Sequence, residues 1–407
     1  MNILSLLIGR DGCSGYRVLN PFGGIKRNAG VDNETHIIEN GDNGNLMLNL
    51  VQGSNIIVFR QQHEQFFHFL VNRKDIDISD KVLVVDFDDD IFNITPYSDT
   101  YRYGGIENIK HDGKWLWKDG ENGFDIERNK KNLASIINMA RRADLVTVTT
   151  PYLKKQITTL IGNKNVVVLP NAINFTHWKK WNLQKDDTIR IGWSGGSTHY
   201  IDWYTIKDGL KKLHEKYGDK IKLVLTGCKW EGTLKNIPYE YHSWLDFDAH
   251  PYKQASLNLD IAIIPLMDTL FNKSKSSVKW YEYSALGIPC VVSDVLPYSQ
   301  EIKHNETALA YKNEDEFVKQ VSRLIDDVKL RYTIGEKARE WVHKHRDIDI
   351  ICFDYLDAYQ KAIDKKLLTN TNSMEELEPV EEVETSDVAE STPEVEPSEE
   401  VVEEVAE

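Results

Sequence analysis

The stretch Asn272–Asp294, NKSKSSVKWYEYSALGIPCVVSD, constrains the fold more than any other part of the chain. It joins a serine-rich start, a helical periodicity, a glycine-proline stop and a short apolar run. Ser274, Ser276 and Ser277 are of the type that caps a helix start. Gly287 followed by Pro289 ends a helix. Cys290-Val291-Val292, closed by Ser293-Asp294, reads as a strand covered on both faces. Loop, helix and buried strand in that order belong to a parallel sheet layered with helices.

The spacing inside this stretch has chemical content. Lys275, Lys279 and Glu282 stand at i, i+4 and i+7, which puts all three on one helical face. Val278, Tyr281 and Ala285 lie on the neighbouring face and pack inward. Free N–H groups at a helix start, two ammoniums and a carboxylate suit a phosphorylated sugar: cations and N–H groups for a diphosphate, the carboxylate for ribose hydroxyls. The same spacing also fits an exposed face stabilised by its own ion pairs.

The rest of the chain extends the pattern. Ile3–Ile8, His36–Glu39, Asn55–Phe59, Lys81–Phe87, Asp144–Thr149 and Val166–Leu169 read as strands, with helical stretches such as Glu64–Val71 and Asn132–Arg142 between them. After a linker at His177–Asp187, Thr188–Trp193, Lys222–Gly227 and Leu259–Leu266 read as strands of a second unit. Glu314–Asp326, Leu330–His345 and Asp347–Lys365 read as helices. At 407 residues the chain suits two domains rather than one core.

Charge needs one correction for position. From Met374 onward there are fourteen Glu, one Asp and no Lys or Arg; removing these 15 from the chain's 64 acids leaves 49, against 49 Lys and Arg. The net charge of −15 therefore belongs to the tail, and the body is about neutral. The tail has no aromatics and isolates its valines between carboxylates, so it is expected to be disordered. No run approaches the ~18 apolar residues of a membrane span. The start has no basic region of a signal peptide. Cys13, Cys228, Cys290 and Cys352 have neither metal nor disulfide spacing, which suits free thiols in a reducing, cytoplasmic setting.

Three further elements point to a ligand. Gly9–Arg17 is a glycine turn after the first strand, and Trp193–Tyr200 (WSGGSTHY) is a second one before a helix. Such turns let a backbone approach a phosphate closely. Asp86-Phe87-Asp88-Asp89-Asp90 ends the fourth strand, where side chains face the ligand crevice of a doubly wound sheet. Asp86 and Asp88 form an Asp-x-Asp, which two hard carboxylates could use to hold manganese or magnesium. Otherwise these aspartates bind sugar hydroxyls or an acceptor, or cap the next helix.

Glu282–Ser293 (EYSALGIPCVVS) resembles the signature of family 4 glycosyltransferases, and Pro170-Asn171-Ala172-Ile173-Asn174 resembles their interdomain Pro-Asn-Gly-Ile/Val-Asp element. The resemblance is firm from about residue 144 to 365. It implies an α/β protein of the GT-B fold, with two Rossmann-like domains facing a cleft. The expected division is 1–175 for the acceptor domain, 176–345 for the donor domain, 346–367 for a helix crossing back, and 368–407 for the tail. It implies a retaining transfer from a nucleotide-diphosphate sugar with no cofactor or protein nucleophile.

By resemblance, Glu282 matches the second of two family glutamates and holds the ribose; the first falls on Ser274, so its carboxylate is missing. Gly12, Gly15 and Arg17 lie by the donor diphosphate. Gly195, Gly196, Ser197 and His199 form the second phosphate turn, where the family's Arg and Lys are absent and Lys275 and Lys279 supply the charge, with N–H groups at Ser276 and Ser277. Gly227 turns beside the donor, and Trp244 stacks on the base or fills core. Asp88 stands where many members have a histidine, and it is grouped with the two lysines as catalytic. The acceptor is a glycan, lipid or other hydroxyl compound. A transferase acting on nucleic acid bases stays open because of Lys154-Lys155 and Lys179-Lys180, and so does a non-catalytic nucleotide-sugar binding module.

Overall fold

The computed structural model describes residues 1–375 except 8, 10, 30–34, 39–43, 163–164, 182, 184–186, 231–233 and 235–236. The first lobe holds β1 (Ile3–Leu6), β2 (Thr35–Ile38), β3 (Ile56–Arg60), β4 (Val82–Phe87), a hairpin of β5 (Ile109–His111) and β6 (Lys114–Trp117), β7 (Leu145–Val148) and β8 (Val166–Val168). Its parallel sheet runs β2-β1-β3-β4-β7-β8. The second lobe holds β9 (Ile189–Gly195), β10 (Ile221–Gly227), β11 (Tyr239–His242), β12 (Ile261–Ile264), β13 (Cys290–Ser293) and β14 (Leu309–Tyr311). Its parallel sheet runs β11-β10-β9-β12-β13-β14.

Near-continuous Val, Ile and Leu make these strands suitable for burial on both faces, and β3, β4, β7, β12 and β13 are buried along their whole length. Each sheet reverses its strand order once, between β1 and β3 and between β9 and β12. A doubly wound sheet binds ligands beyond the carboxyl ends of strands at such a point. The two lobes turn these ends toward each other.

Two crossings join the lobes, and they pair: Ile173 bridges Asp347, with Ile173 N–H donating to Arg346 and Ile348 N–H donating to Ile173. The last helix then lies along Asn20–Asn28 of the first lobe, with Cys352 seated against Gly24. It runs from Ile348 to Glu375. It thus passes the expected boundary at 367, because Lys366 still ion-pairs with Asp144 and Asn370 still donates to the Ser79 carbonyl. The acidic tail beyond 375 lies outside the described residues, as do Ile8 and Glu39 at two expected strand ends.

The β5–β6 hairpin, β11 and β14 were not expected. The hairpin belongs to a satellite with its own small core of Tyr101, Trp117 and Phe124. Its exposed strand pattern carries little apolar alternation. Among the described residues, no helix is long and apolar enough to cross a membrane.

Candidate active site

The cleft between the lobes holds about 920 Å³ of space, including solvent at its mouth. Its second-lobe wall is built on the Asn272–Asp294 stretch, though not as the spacing implied. A short helix, Leu270–Ser274, ends before Lys275, and the main helix is Val278–Ala285. Lys275 therefore precedes that helix instead of sitting one turn inside it, yet it lines the cleft with Lys279 and Glu282.

The serines do other work than capping. Ser277 holds the cap position without a side-chain bond, and it is fully buried. Ser274 and Ser276 join the lobes: Thr150 Oγ1 donates to the Ser274 carbonyl at 2.9 Å, Ser274 Oγ donates to Asp90 at 3.2 Å, and Asn171 Nδ2 donates to Ser276 Oγ at 2.9 Å. Only Ser276 of the three serines faces the cleft.

Lys279 Nζ sits 2.9 Å from His199 Nε2 and 5.4 Å from the centre of the Trp193 ring. Gly195 makes room for it, since a Cβ there would stand 2.8 Å from Nζ. His199 Nδ1 is 2.7 Å from Asp202 Oδ2. Burial and the neighbouring ammonium lower the His199 pKa to about 4, against the pull of Asp202. Burial lowers Lys279 to about 8; Lys275 pushes the same way, while Glu282 opposes. Lys275 is 3.2 Å from Asp89 across the cleft. Burial, the largest single influence, would lower its pKa, but the Asp89 charge and hydrogen bond, with Cys13 and Asp88 behind them, together raise it.

At the other end of the helix, Glu282 Oε1 accepts from the Tyr16 hydroxyl at 2.6 Å and lies 3.7 Å from His250 Nε2. Tyr16 comes from the first lobe, on a π-helical turn Gly15–Leu19, a geometry frequent at functional sites. Trp244 is 49% exposed and stacks on His250, ring centres 5.1 Å apart. A flat ring in that setting can receive a base.

The first-lobe wall carries Gly12, Cys13, Asp88 and Asp89. Asp88 accepts from Asn171 Nδ2 at 3.3 Å. Burial and the Asp89 charge raise its pKa, with Arg60 and Arg17 opposing. Asp88 in turn raises the Cys13 thiol, with burial second.

Several expected residues lie elsewhere. Arg17 is buried behind the wall, bonding Asp86 at 2.6 and 3.0 Å, the Leu169 carbonyl at 2.6 Å and Asn171 at 3.0 Å. Asp86 also accepts from Thr147 Oγ1 at 2.6 Å. Its carboxylate is committed, so Asp86 and Asp88 do not form a ligand pair. Among the described residues, no group of three or more His, Cys, Asp or Glu could hold a metal. Gly15 packs against Phe247, where a Cβ would come within 2.3 Å of the ring. Gly196 and Ser197 are exposed beside the cleft, and Gly227 lies against Gly195 and the Trp244 ring. Sequence reasoning missed Tyr16, His250 and Asp202. The spacing His199-x-x-Asp202 was the available signal, since i and i+3 meet on a helical turn.

Comparisons with known proteins agree with this layout. Residues 207–350 match the family model described as glycosyl transferase-like. Sucrose-phosphate synthase from Thermosynechococcus elongatus is similar over 90% of this chain and 100% of its own, with TM-score 0.62 and 12% identity. HepE from Anabaena, solved with UDP, is similar over 89% of this chain and 100% of its own, with TM-score 0.60 and 12% identity. A glycosyltransferase from Rickettsia africae covers 89% and 98%, with TM-score 0.58 and 12% identity. No curated protein matches the sequence. At such identities the structural likeness speaks for the fold, and the matched segment speaks for the second lobe. The chain thus shares the two-lobed GT-B fold of these structures, and its second lobe carries the segment that matches the glycosyl transferase-like family model.

Proposed function

We propose that the protein transfers a sugar from a nucleotide-diphosphate donor to an acceptor hydroxyl with retention of configuration. The observation that carries this reading is the second-lobe wall, with two lysines at one end of a helix and a buried carboxylate at the other. HepE, of similar fold, was solved with UDP and with UDP-glucose.

In this reading Lys279, Lys275 and the N–H groups near Ser276 hold the diphosphate. As the bond from the sugar's anomeric carbon to the diphosphate oxygen breaks, negative charge grows on that oxygen, and fixed cations stabilise it. The acceptor oxygen forms its bond to the same face of the anomeric carbon. Its proton passes to the departing phosphate oxygen. Glu282 takes the ribose hydroxyls, and the Tyr16 O–H now on its Oε1 shows that the carboxylate can accept from a hydroxyl at 2.6 Å. Trp244 meets the base. Asp88 and Asp89 face the sugar or acceptor from the first lobe. Asp89 lies opposite Lys275 and offers a carboxylate near the position where Ser274 replaces the family's glutamate. Lobe closure excludes water and so favours transfer over hydrolysis. Four free thiols fit a cytoplasmic setting.

Screening the protein against UDP-, GDP- and ADP-sugars, by thermal shift and by released nucleotide diphosphate, tests the reading. One donor should stabilise the protein and turn over, and NMR of the product should show the donor's anomeric configuration retained. Binding without turnover under every acceptor and water condition would leave a binding module instead.

A further inference from the structure

We infer that Asp202 is a positioning residue of the donor site, which through His199 aims the Lys279 ammonium at the departing diphosphate. The inference rests on the donor reading above. It concerns two residues, His199 and Asp202, that precede the matched segment 207–350.

The three side chains form a line from the lobe interior to the cleft. The Asp202 side chain is 1% exposed and that of His199 13%, while Lys279 lines the open space. The Asp202 carboxylate is filled on both oxygens. Oδ1 accepts from Met267 N–H at 2.7 Å and from Asn272 Nδ2 at 2.9 Å, and Oδ2 faces His199 Nδ1 at 2.7 Å. A carboxylate only accepts, so the proton of the neutral imidazole stays on Nδ1. Nε2 then presents a lone pair to the Lys279 ammonium at 2.9 Å.

The alternative tautomer reverses the contact. With the proton on Nε2, two N–H donors would oppose each other at this distance, and the lysine would be pushed off its place over Trp193. A doubly protonated ring would add charge repulsion. Asp202 thus decides whether Lys279 is held, although it touches no ligand. One N–H of the ammonium is spent on His199, and the other two remain for phosphate oxygens. The charged groups that act on Lys279 besides this pair are Glu282 on its own helix, Lys275 before it, and Asp89 from the first lobe.

Asp202→Asn tests the assignment. The amide oxygen can keep the Met267 and Asn272 bonds, which turns the amide N–H₂ toward His199 and forces its proton to Nε2. Ring ¹⁵N shifts should show Nδ1 protonated in the wild type and Nε2 protonated in the variant. Calorimetric titration with whichever of UDP, GDP or ADP binds the wild type should show affinity about tenfold lower, the scale of one charge-assisted hydrogen bond. His199→Gln, whose amide oxygen can accept from Lys279, should keep affinity within about threefold, while His199→Leu should fall about tenfold, as Lys279→Ala does. This pair decides the matter if Asp202→Asn does not fold. An unmoved Nδ1 proton, wild-type affinity in Asp202→Asn, or equal affinity in the Gln and Leu variants overturns the positioning role. Wild-type affinity in Lys279→Ala, or no binding of any of the three nucleotides, instead overturns the donor reading beneath it.

Discussion

Two buried charge networks, one in each lobe, use similar parts to opposite ends. In the first lobe Arg17 and Asp86 meet behind the cleft wall, with Thr147, Asn171 and the Leu169 carbonyl filling their remaining positions. Each of the Arg17 nitrogens makes at least one hydrogen bond inside the protein, so the pair offers little to a ligand. In the second lobe Asp202 is as deeply buried, but its chain through His199 ends in an ammonium that faces open space. A saturated network holds a lobe together; a network left open at one end can meet a ligand. Arg17, expected at the donor diphosphate, belongs to the first kind.

The sharpest way to break this contrast is to cut each network once. Arg17→Met strands the Asp86 carboxylate in the core, and losing one partner of a buried pair costs about 3–5 kcal/mol. Urea unfolding should show that loss, with nucleotide affinity unchanged per folded molecule. Lys279→Ala should do the reverse. Turnover of the donor should fall about 10²–10³-fold, as for other groups that stabilise developing charge, with the urea midpoint nearly that of wild type. If Lys279→Ala unfolded as readily as Arg17→Met, the two networks would not differ in kind. Glu282→Ala should come next in size, weakening nucleotide binding about tenfold through lost ribose hydrogen bonds. Wild-type affinity there would remove the ribose assignment.

The pH dependence separates the networks more gently. Lys279 has a folded pKa of about 8, lowered first by burial. Diphosphate binding favours its charged form, so affinity should fall as pH rises through about 8, by up to about tenfold per unit. Stability should move the other way. Between about 8 and its ordinary value the unfolded chain binds this proton more readily than the folded one, so this lysine's contribution grows more favourable with rising pH. Both trends should vanish in Lys279→Ala. Arg17 and Asp86 should add nothing in this window. Burial works against both charges, but their mutual attraction raises the Arg17 pKa and lowers that of Asp86. Their stabilisation is lost only in acid, as pH falls below the ordinary carboxylate value and through the lowered folded one.

How much of this was legible in the sequence follows from what spacing can and cannot encode. The apolar runs gave nearly every sheet strand to within a residue or two, because strands covered on both faces must be apolar throughout. The Lys279 and Glu282 spacing placed both on one helix and, in the structure, in one cleft. Spacing could not say which lobe a charge would meet. Arg17 finds Asp86 across 69 positions and Tyr16 finds Glu282 across 266. Nor could it show that Lys275 sits in a turn tied by Ser274 and Ser276 to the opposite lobe, where tertiary contacts override capping preference. Asp202 was within reach three residues from His199, but its meaning depends on Met267 and Asn272, more than 60 positions on.

The smallest expected effect is none, and it bears on the first lobe's wall. Asp86-Phe87-Asp88 has the spacing of a divalent-metal site, and a bridging metal would make that wall a second diphosphate holder. The structure commits Asp86 to Arg17 and Thr147, and it turns Asp88 toward Asn171. One aspartate facing the cleft beside Asp89 gives a metal few of the six oxygen ligands that magnesium prefers. Sugar transfer in excess EDTA should therefore run at the untreated rate, because in the proposed reading the charge on the diphosphate is met from the other side by Lys275 and Lys279. A loss in EDTA that manganese or magnesium restores would move part of the leaving-group work across the cleft. Asp88→Asn would then have to abolish that metal dependence, and the division between a closed first-lobe network and an open second-lobe one would no longer describe the site.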